Sequence, residues 1–389
     1  MIRKVVIIGA NIIYSIFKLF PTKHKITMIS RQSNKETLDF KLLREKIEES
    51  NLTSNKNGQK VKVVTLCRKL EGGINAKLGE KIKYGIHMLS QMYHISTSKI
   101  VILDTYCILI SILKHKKNLK VIQMWHSMGT MKKFGYQILD KAEGTKKENA
   151  DIMRMHKNYD YVFASSLAYA NQLAEGFGCE LDRIRVFSLP RVDLLTCTEH
   201  KNSITKKIEE KYPNVKHKKN ILYCPTFRKN EKLLEKEIYN MIDQIDFEKY
   251  NLIIKLHPLS KFEINSDKVI NDKTFSSMDM LFIADYLISD YSCIIYEAVI
   301  LNIPIFLFTF DIQKYKNNRG LTIDLKKEIP GIVSSKFDTI IKAIENDEYD
   351  PKLIYDFRQK YVTNVENCTE KIVEFLAELL SNEKNSKTN

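Results

Sequence analysis

The sequence lacks several features that would assign it to a specialised class of protein. Its seven cysteines are scattered and form no C-x-x-C pair, which gives no sign of a zinc or redox site and is typical of free thiols in a reducing compartment. The longest apolar stretch, residues 294–310, is interrupted by Glu297, Asn302 and Pro304, so it fails as a membrane span. No internal repeat is present. We therefore expect a soluble or peripheral protein.

The charge balance is strongly basic, with 62 Lys and Arg against 47 Asp and Glu and a formal net charge of +15. Such a balance favours a polyanionic partner, which could be nucleic acid, an anionic membrane or a phosphate-rich substrate. A lysine-rich solvated surface is the plainer alternative. Because the lysines are spread along the chain and no basic motif is interleaved with aromatics, we expect no nucleic-acid partner.

The first 21 residues combine a basic start with an apolar stretch, which raises the question of a signal peptide. Lys18 interrupts the stretch and no small-residue cleavage site follows it, so the sequence does not favour one. The pattern predicts a short buried strand over residues 4–9 that leads into a helix. Residues 12–20 could lie on a bilayer surface, although packing against their own domain is the favoured interpretation.

The length of 389 residues suits two domains. Short β-branched runs alternate with amphipathic stretches and predict buried parallel strands at 4–9, 25–30, 62–66, 99–104, 120–126, 159–166, 183–190, 219–227, 250–258, 284–290 and 303–310. The polar segment 196–219 predicts a helix and a linker between two α/β sheets. We place the domains at 1–200 and 201–380, followed by a polar tail at 381–389.

Polar residues that directly follow a strand have most weight, because open parallel sheets bind ligands at the carboxyl ends of their strands. Trp125 and His126 end one predicted strand, and Gly129, Lys132 and Lys133 follow in the next turn. This arrangement could hold a general base beside a phosphate site. The alternative is a partly buried structural histidine with surface lysines.

Two further strands of the second half end in polar residues. Thr226 and Arg228 follow one strand, where a hydroxyl and a guanidinium can bind phosphate oxygens, although Arg228 could equally pair with a surface carboxylate. Lys255 and His257 lie two residues apart, and hence on one face, before Pro258 ends the strand. The sequence thus supplies a second histidine for a cleft.

A third strand of the second half leads into a helix through Ser289, Asp290 and Ser292. Hydroxyls and unpaired backbone N–H groups at a helix start can bind a phosphate. Helix capping alone would also explain these residues. Glu297, one to two turns inside, would be costly if merely buried, so we interpret it as a ligand of a ribose hydroxyl.

The motifs together carry a family resemblance. QMWHSMGTMKKFGY, LPRVDLL, ILYCPTFR, IIKLHP, LISDYSCIIYEA and DIQKYKNNRGLTID, in this order and spacing, resemble the CDP-glycerol:poly(glycerophosphate) glycerophosphotransferase family of teichoic-acid and capsule biosynthesis. The resemblance runs from about residue 95 to about residue 330. It implies a GT-B-like α/β fold of two Rossmann-like domains that face each other across a cleft. The CDP-alditol would bind mainly to the C-terminal domain, and the acceptor would approach from the N-terminal one.

The resemblance also implies which residues form the site. The motif positions of the family correspond to Trp125, His126, His257, Pro258, Ser289, Asp290, Tyr291, Ser292, Arg319 and Gly320. Ser127 replaces a frequent glycine, Cys293 a second serine and Phe227 a tryptophan, and none of these changes removes an obvious catalytic group.

The implied reaction is attack by a polymer hydroxyl on the β-phosphate of CDP-glycerol or CDP-ribitol, with release of CMP. We assign His126 as the base and His257 to the phosphate side, although the two roles could be exchanged. The predicted substrate-binding residues are Trp125, Lys132, Lys133, Thr226, Arg228, Lys255, Ser289, Asp290, Ser292, Glu297, Arg319 and Gly320. No DxD-like pair predicts a metal site, and no cofactor is expected beyond Mg²⁺ carried by the diphosphate.

Two other functions are compatible with parts of the pattern. A GT-B glycosyltransferase with a nucleotide-sugar donor would share the fold and the phosphate site. A basic scaffold for anionic polymers would explain the charge but not two strand-end histidines. The resemblance adds a lipid-linked polyol-phosphate acceptor, an anionic membrane surface as partner, and a peripheral location on the cytoplasmic face. The motifs leave open glycerol or ribitol, and priming or polymerisation.

Overall fold

The computed structural model describes residues 2–52, 59–71 and 73–381. The chain divides into two compact units, and each contains a six-stranded parallel sheet. Of the described residues, the first unit comprises 2–52, 59–71, 73–127, 134–191 and 366–381, and the second comprises 128–133 and 192–365. The predicted α/β class with two parallel sheets is therefore confirmed.

The sheet of the first unit carries its polar strand ends on adjacent strands. Its strands are β1 Lys25–Ser30, β2 Lys62–Cys67, β3 Ile100–Leu103, β4 Lys120–Gln123, β5 Tyr161–Ala164 and β6 Ile184–Val186. They pair in the order β2-β1-β3-β4-β5-β6. Since β1, β3 and β4 are neighbours and parallel, the residues after them lie along one edge.

The sheet of the second unit is also parallel. Its strands are β7 Lys219–Cys224, β8 Tyr250–Ile254, β9 Val269–Ile270, β10 Tyr286–Ser289, β11 Ile305–Phe308 and β12 Val333–Ser334, in the order β12-β11-β10-β7-β8-β9. The core on one face is formed by apolar side chains such as Ile221, Ile238 and Phe306. The sequence did not predict β9 and β12, because two residues are too few to show a periodic pattern.

Helices connect the strands in both units. They are α1 Ile2–Phe17, α2 Leu38–Glu49, α3 Leu78–Ser96, α4 Ile108–Ile112, α5 Lys147–Ile152, α6 Ala170–Phe177, α7 Arg191–Thr196, α8 Thr198–Lys211, α9 Lys232–Gln244, α10 Ser277–Leu281, α11 Ile294–Ile300, α12 Ile312–Asn318, α13 Leu325–Glu328, α14 Phe337–Glu345, α15 Pro351–Tyr361 and α16 Cys368–Ser381. The predicted helix in the polar segment 196–219 corresponds to α8. Among the described helices, none is long and apolar enough to cross a bilayer.

The prediction of a strand at residues 4–9 is wrong, because α1 covers this segment. Tyr14 is fully buried, and Asn11 and Phe17 lie partly buried on the same face at helical spacing. The Asn11 side chain donates hydrogen bonds to the carbonyl oxygens of Ile7 and Ile112. Packing of one helical face thus overrides the β propensity of the Val and Ile run.

The compact units differ from the predicted domain limits in three places. Residues 128–133 and 192–200 group with the second unit, and the segment from residue 366 that contains α16 groups with the first. On α16, Phe375 contacts Tyr161 and Phe187 of the first unit with ring centroids 5.1 and 5.2 Å apart. The division into domains at 1–200 and 201–380 therefore stays a prediction. The predicted polar tail lies outside the described residues from 382 onward.

The packing of α16 generates a stability prediction. Leu376→Ala should destabilise the protein by about 2–5 kcal/mol, because Leu376 is fully buried. The matched control Leu353→Ala, at an exposed position of α15, should change stability by less than about 0.5 kcal/mol. Urea unfolding measures both changes. Hydrogen exchange should show lost protection in β4 to β6, and a loss confined to β7, β8 and β10 would contradict the assignment of α16.

Candidate active site

The turn after β4 is held in an unusual backbone conformation. Trp125 has a φ of 67°, in the left-handed region that large residues rarely adopt. Its N–H donates a 3.0 Å hydrogen bond to Oε1 of Gln123. Its ring stacks on Phe134 at 5.2 Å and contacts the edge of Phe177 at 5.1 Å. These contacts fix the turn, and the turn determines the direction of His126.

His126 is partly buried, and its hydrogen bond defines its tautomer. Nδ1 lies 3.0 Å from the carbonyl oxygen of Asp104. Because a carbonyl can only accept, Nδ1 carries the proton and Nε2 of the neutral ring keeps its lone pair. Burial lowers the pKa of His126 below its ordinary 6.5; Arg191 lowers it further, whereas the Asp104 hydrogen bond and the charge of Asp39 raise it. At neutral pH the ring is therefore a base with Nε2 as acceptor.

Asp104, directly after β3, is a residue that the sequence analysis missed. Its carboxylate accepts hydrogen bonds from Thr105 at 3.1 Å and from Thr37 at 3.4 Å. Burial raises the pKa of Asp104 from 3.8 to about 6, against the lowering effect of the hydroxyls. The hydroxyls hold the loop whose carbonyl orients His126. Because Asp104 is the last residue of the strand predicted at 99–104, the strand-end rule could have found it.

The ion pair of Arg191 and Asp39, which acts on His126, was also not predicted as part of the site. Nε of Arg191 bonds Oδ2 of Asp39 at 3.0 Å, and the Arg191 backbone N–H bonds Oδ1 at 2.9 Å. Asp39 is buried at the start of α2, where it needs such a partner. The two charges shift the pKa of His126 in opposite directions. Arg191 is part of the LPRVDLL motif, which was the available signal.

In the second unit, Lys132 and Lys133 lie beside the segment that carries Arg319 and Gly320. The Lys133 backbone N–H donates to the Gly320 carbonyl at 3.2 Å, and Nε of Arg319 donates to the Lys133 carbonyl at 3.0 Å. Gly320 has a φ of 89°, which favours glycine. Nζ of Lys132 bonds the Thr226 hydroxyl at 3.3 Å. The structure thus brings together five of the predicted residues.

Lys132 is partly buried, and its surroundings shift its pKa. Burial lowers its pKa from 10.5, although Cys293 and Asp290 nearby raise it. Its hydrogen bond to Thr226 leaves donor capacity on the ammonium group. A phosphate oxygen is the kind of acceptor that such a cation binds.

Arg228 does not present an open guanidinium. Nε and Nη2 bond both oxygens of Asp311 at 2.7 and 2.9 Å, and Nη1 lies 2.8 Å from Oδ2 of Asp290. Burial alone would lower the pKa of Arg228, but Asp290 and Asp311 raise it. Asp290 also accepts the Thr226 backbone N–H at 2.9 Å. Arg228 and Asp290 therefore hold the Thr226 loop, rather than facing a ligand directly.

Lys255 and Ser289 are likewise engaged inside the fold. Nζ of Lys255 donates to the carbonyl oxygens of Asp272 and Phe275, both at 2.6 Å, and to the Asp272 carboxylate at 3.2 Å. These three acceptors use all of the ammonium protons. Ser289 is fully buried and donates to the Cys224 carbonyl at 2.8 Å. The polar atoms of both side chains are thus consumed by the structure.

His257 is exposed just after β8. The Leu259 N–H donates to its Nδ1 at 3.1 Å, so the neutral ring carries its proton on Nε2. Phe227 lies beside the ring at 5.4 Å. The two histidines therefore have opposite tautomers: His126 offers an acceptor at Nε2, and His257 offers a donor there.

Ser292 and Glu297 lie at the start of α11, and both are partly buried. The Ser292 hydroxyl accepts from the Ile294 N–H at 3.5 Å, a long capping contact. Glu297 occupies the first turn of this helix. Across the described part of the chain, no group of three His, Cys, Asp or Glu side chains could hold a metal ion.

Comparison with known proteins decides the family. A sequence model described as CDP-glycerol:poly(glycerophosphate) glycerophosphotransferase matches residues 12–378. The chain belongs to this family. The predicted family and the prediction of an enzyme are thereby confirmed.

Curated relatives come from teichoic-acid synthesis. The chain is 28% identical over 375 residues to the teichoic acid ribitol-phosphate primase of Bacillus spizizenii, which covers 93% of each protein. It is 31% identical over 308 residues to the teichoic acid glycerol-phosphate primase of Bacillus subtilis, which covers 77% of this chain and 78% of the primase. The match to the teichoic acid poly(ribitol-phosphate) polymerase of Bacillus spizizenii spans 48% of that protein, about half its length.

Solved structures show the fold at low identity. The wall teichoic acid polymerase TagF superimposes with a TM-score of 0.73 at 18% identity, over 99% of this chain and 97% of that chain. A UDP-GlcNAc 2-epimerase from Neisseria meningitidis gives a TM-score of 0.57 at 15% identity, over 91% and 100%. Both likenesses concern the fold alone.

The environment of His126 generates a titration prediction. The His126 ring should titrate below pH 6.5, and Asp39→Asn should lower its pKa further, because this change removes the acid that raises it and leaves Arg191 unbalanced. Nitrogen-15 NMR of labelled histidine rings measures the pKa and the tautomer.

The control for this titration is Glu36→Gln, which removes an acid paired with Arg44 in the same unit. It should leave the pKa of His126 unchanged. Loss of the buried Asp39 charge should also destabilise the fold by about 3–5 kcal/mol, so the titration is best done at low temperature. An upward shift in Asp39→Asn, or equal shifts in both variants, would contradict the assignment.

Proposed function

We propose that this protein transfers glycerol phosphate or ribitol phosphate from CDP-glycerol or CDP-ribitol to a hydroxyl of a lipid-linked teichoic acid or capsular polymer, with release of CMP. The observation that carries the proposal is the neutral His126 ring with its lone pair on Nε2 at a strand end. Membership in the family and the primases among the relatives support the same reaction.

The transfer needs a base for the attacking hydroxyl. The acceptor oxygen attacks the β-phosphorus of the donor, its O–H bond breaks, and the proton passes to Nε2 of His126. The bond between the β-phosphorus and the bridging oxygen breaks, and CMP leaves with the electron pair. A phosphodiester results, so the net reaction is phosphoryl transfer, which depends on positioning and on charge stabilisation.

The donor diphosphate needs cations that can bind its oxygens. In our proposal Lys132, Lys133 and Arg319 bind its oxygens, helped by the hydroxyls of Thr226 and Ser292. The Nε2–H of His257 donates to the phosphate side, in keeping with its tautomer. Charge-assisted hydrogen bonds of this kind stabilise the developing negative charge.

The remaining predicted residues receive other roles. Glu297 binds the cytidine ribose, and Gly320 supplies the turn beside Lys133. We assign Arg228, Lys255, Ser289 and Asp290 as positioning residues, since their polar atoms are used within the fold. Trp125 is assigned to position His126 rather than to bind substrate.

The apolar surface of α1 and α3 supports peripheral attachment to a membrane, which we place at the cytoplasmic face. Ile12 on α1 is 62% exposed and Ile86 on α3 is 63% exposed, together with further large apolar side chains: Val5, Val6, Ile8, Ile13, Ile16, Leu78, Ile82 and Leu89. The two helices contact each other through Phe17 and Tyr93. Apolar patches of this extent on soluble proteins mark interaction sites.

Lysines surround this apolar surface and favour an anionic bilayer as its occupant. Exposed Lys77, Lys81 and Lys83 lie at the start of α3, and Lys18 and Lys23 follow α1. Each cation near an anionic membrane surface contributes about 1 kcal/mol of attraction. Apolar insertion and charge attraction together are the usual basis for binding of an amphipathic helix.

Transfer activity is tested by CMP release with CDP-glycerol and CDP-ribitol offered separately, together with a short lipid-linked glycerol-phosphate acceptor. His126→Ala should lower acceptor-dependent release by about 10²- to 10⁴-fold, because the base is lost. The control His217→Ala, at an exposed histidine, should retain full activity. Full activity in His126→Ala would reassign the base, and no release from either donor would favour a nucleotide-sugar transferase.

Membrane attachment is tested by vesicle sedimentation. Combined Ile12→Ser and Ile16→Ser should weaken binding to vesicles of phosphatidylglycerol and phosphatidylcholine by at least about tenfold, because two exposed apolar side chains are lost. The control Leu353→Ser, at an exposed position in the second unit, should not weaken vesicle binding. Unchanged vesicle binding of the double variant would reject α1 as part of the membrane-binding surface. If the wild type is a dimer and the double variant a monomer, the surface binds a second copy of the chain instead.

A further inference from the structure

Arg31 occupies the residue directly after β1, at the edge of the first sheet that carries His126. The strands β1, β3 and β4 are neighbours, and Arg31, Asp104 and the turn of His126 follow them in that order. Neighbouring strands lie about 4.8 Å apart, so Arg31 is about 10 Å from the His126 strand along the edge. None of the motifs that carry the family resemblance includes this arginine.

Two hydrogen bonds tie Arg31 to the loop that orients His126. Its backbone N–H donates to the Thr105 hydroxyl at 3.1 Å, and Nη1 donates to the Tyr106 carbonyl at 3.3 Å. The Thr105 hydroxyl in turn donates to the Asp104 carboxylate at 3.1 Å. Arg31 is thus built into the same structure that sets the direction of the base.

The guanidinium of Arg31 is nevertheless poorly satisfied. Among the residues that the structure describes, its side chain has no acidic partner, and Nε is buried without any acceptor. The other arginines near the sheet edges are paired: Arg68 with Glu80, Arg191 with Asp39 and Arg228 with Asp290 and Asp311. A buried donor without an acceptor costs about 1–3 kcal/mol, and more when it is charged, so this one calls for an explanation.

A phosphodiester is the ligand that fits this arginine. The guanidinium fork matches two oxygens of a phosphate, and its planar donors bind such groups better than a lysine would. A phosphate oxygen can reach Nη2, which has no partner within the described part of the fold, and a shift of the side chain toward the ligand would bring the Nε–H to a second oxygen. The distance to the His126 strand suits an acceptor whose terminal hydroxyl lies at Nε2 while a phosphate farther back along the polymer lies at Arg31.

We propose that Arg31 binds a phosphodiester of the acceptor polymer and so selects acceptors that already carry an alditol phosphate. This inference rests on the proposed transfer reaction, and it names the acceptor group that the first unit recognises. The donor sites in the second unit are not involved.

The test uses two synthetic lipid-linked acceptors that differ at one link. In one, the terminal glycerol is joined through a phosphodiester, and in the other through an ether. With the phosphodiester acceptor, Arg31→Gln should lower kcat/KM by about 10- to 100-fold, the loss expected for charge-assisted hydrogen bonds. With the ether acceptor it should have little effect, and the KM for the CDP-alditol should stay unchanged.

Two further variants sharpen the comparison. Arg31→Lys keeps the positive charge but lacks the planar pair of guanidinium donors. It should therefore retain part of the preference for the phosphodiester acceptor that Arg31→Gln loses. Arg68→Gln removes an arginine one strand farther along the same edge, where Glu80 already pairs with it, and should leave the preference intact. A thermal midpoint at or above that of the wild type, together with an unchanged donor KM, establishes that Arg31→Gln is folded.

The outcomes separate the inference from the proposed function. Equal losses on both acceptors, no loss on either, or the same loss in Arg68→Gln would overturn the role of Arg31 while CMP release by the wild type upholds the transfer reaction. If the wild type releases no CMP with any combination of donor and acceptor, the proposed function fails, and the inference fails with it.

Discussion

The hydrogen bond from Nδ1 of His126 to the Asp104 carbonyl is the interaction on which the proposed role of the first unit depends. It fixes the tautomer, while burial keeps the ring neutral, so that Nε2 can accept a proton. The left-handed Trp125, packed against Phe134 and Phe177, is the strained element that makes this geometry possible. Backbone strain of this kind persists only where the surrounding packing enforces it.

The pairing of buried charges is a second constraint, and it limits which cations are available to bind a substrate. A buried charge must be paired, and a cation that is paired on all sides has nothing left to offer a ligand. Arg228 and Lys255 meet this condition through Asp290, Asp311 and Asp272. Nζ of Lys132 makes a single hydrogen bond within the described residues, to Thr226, and so does not meet this condition. The contrast supports our proposal that Lys132 binds substrate while Arg228 and Lys255 position other residues.

Much of the fold was predictable because buried parallel strands have a simple signature. The β-branched runs located ten strands, and the strand-end rule placed His126 and His257 at the proper edges of their sheets. The same propensity failed at residues 4–9, where Tyr14 anchors a helix instead. Sequence patterns could not show that α16 returns to the first unit, since that depends on long-range packing.

What the sequence cannot show is whether a polar side chain has already found its partners. Arg31 and Arg228 both follow strands and look alike in the sequence. Arg228 nevertheless bonds two carboxylates, whereas Arg31 leaves a buried N–H without an acceptor. The difference depends on residues that are remote in the sequence, Asp290 and Asp311, and only the fold reveals it. Because a buried donor without an acceptor has a free-energy cost, an unsatisfied donor at a sheet edge supports a ligand-binding proposal better than a charge at a strand end alone.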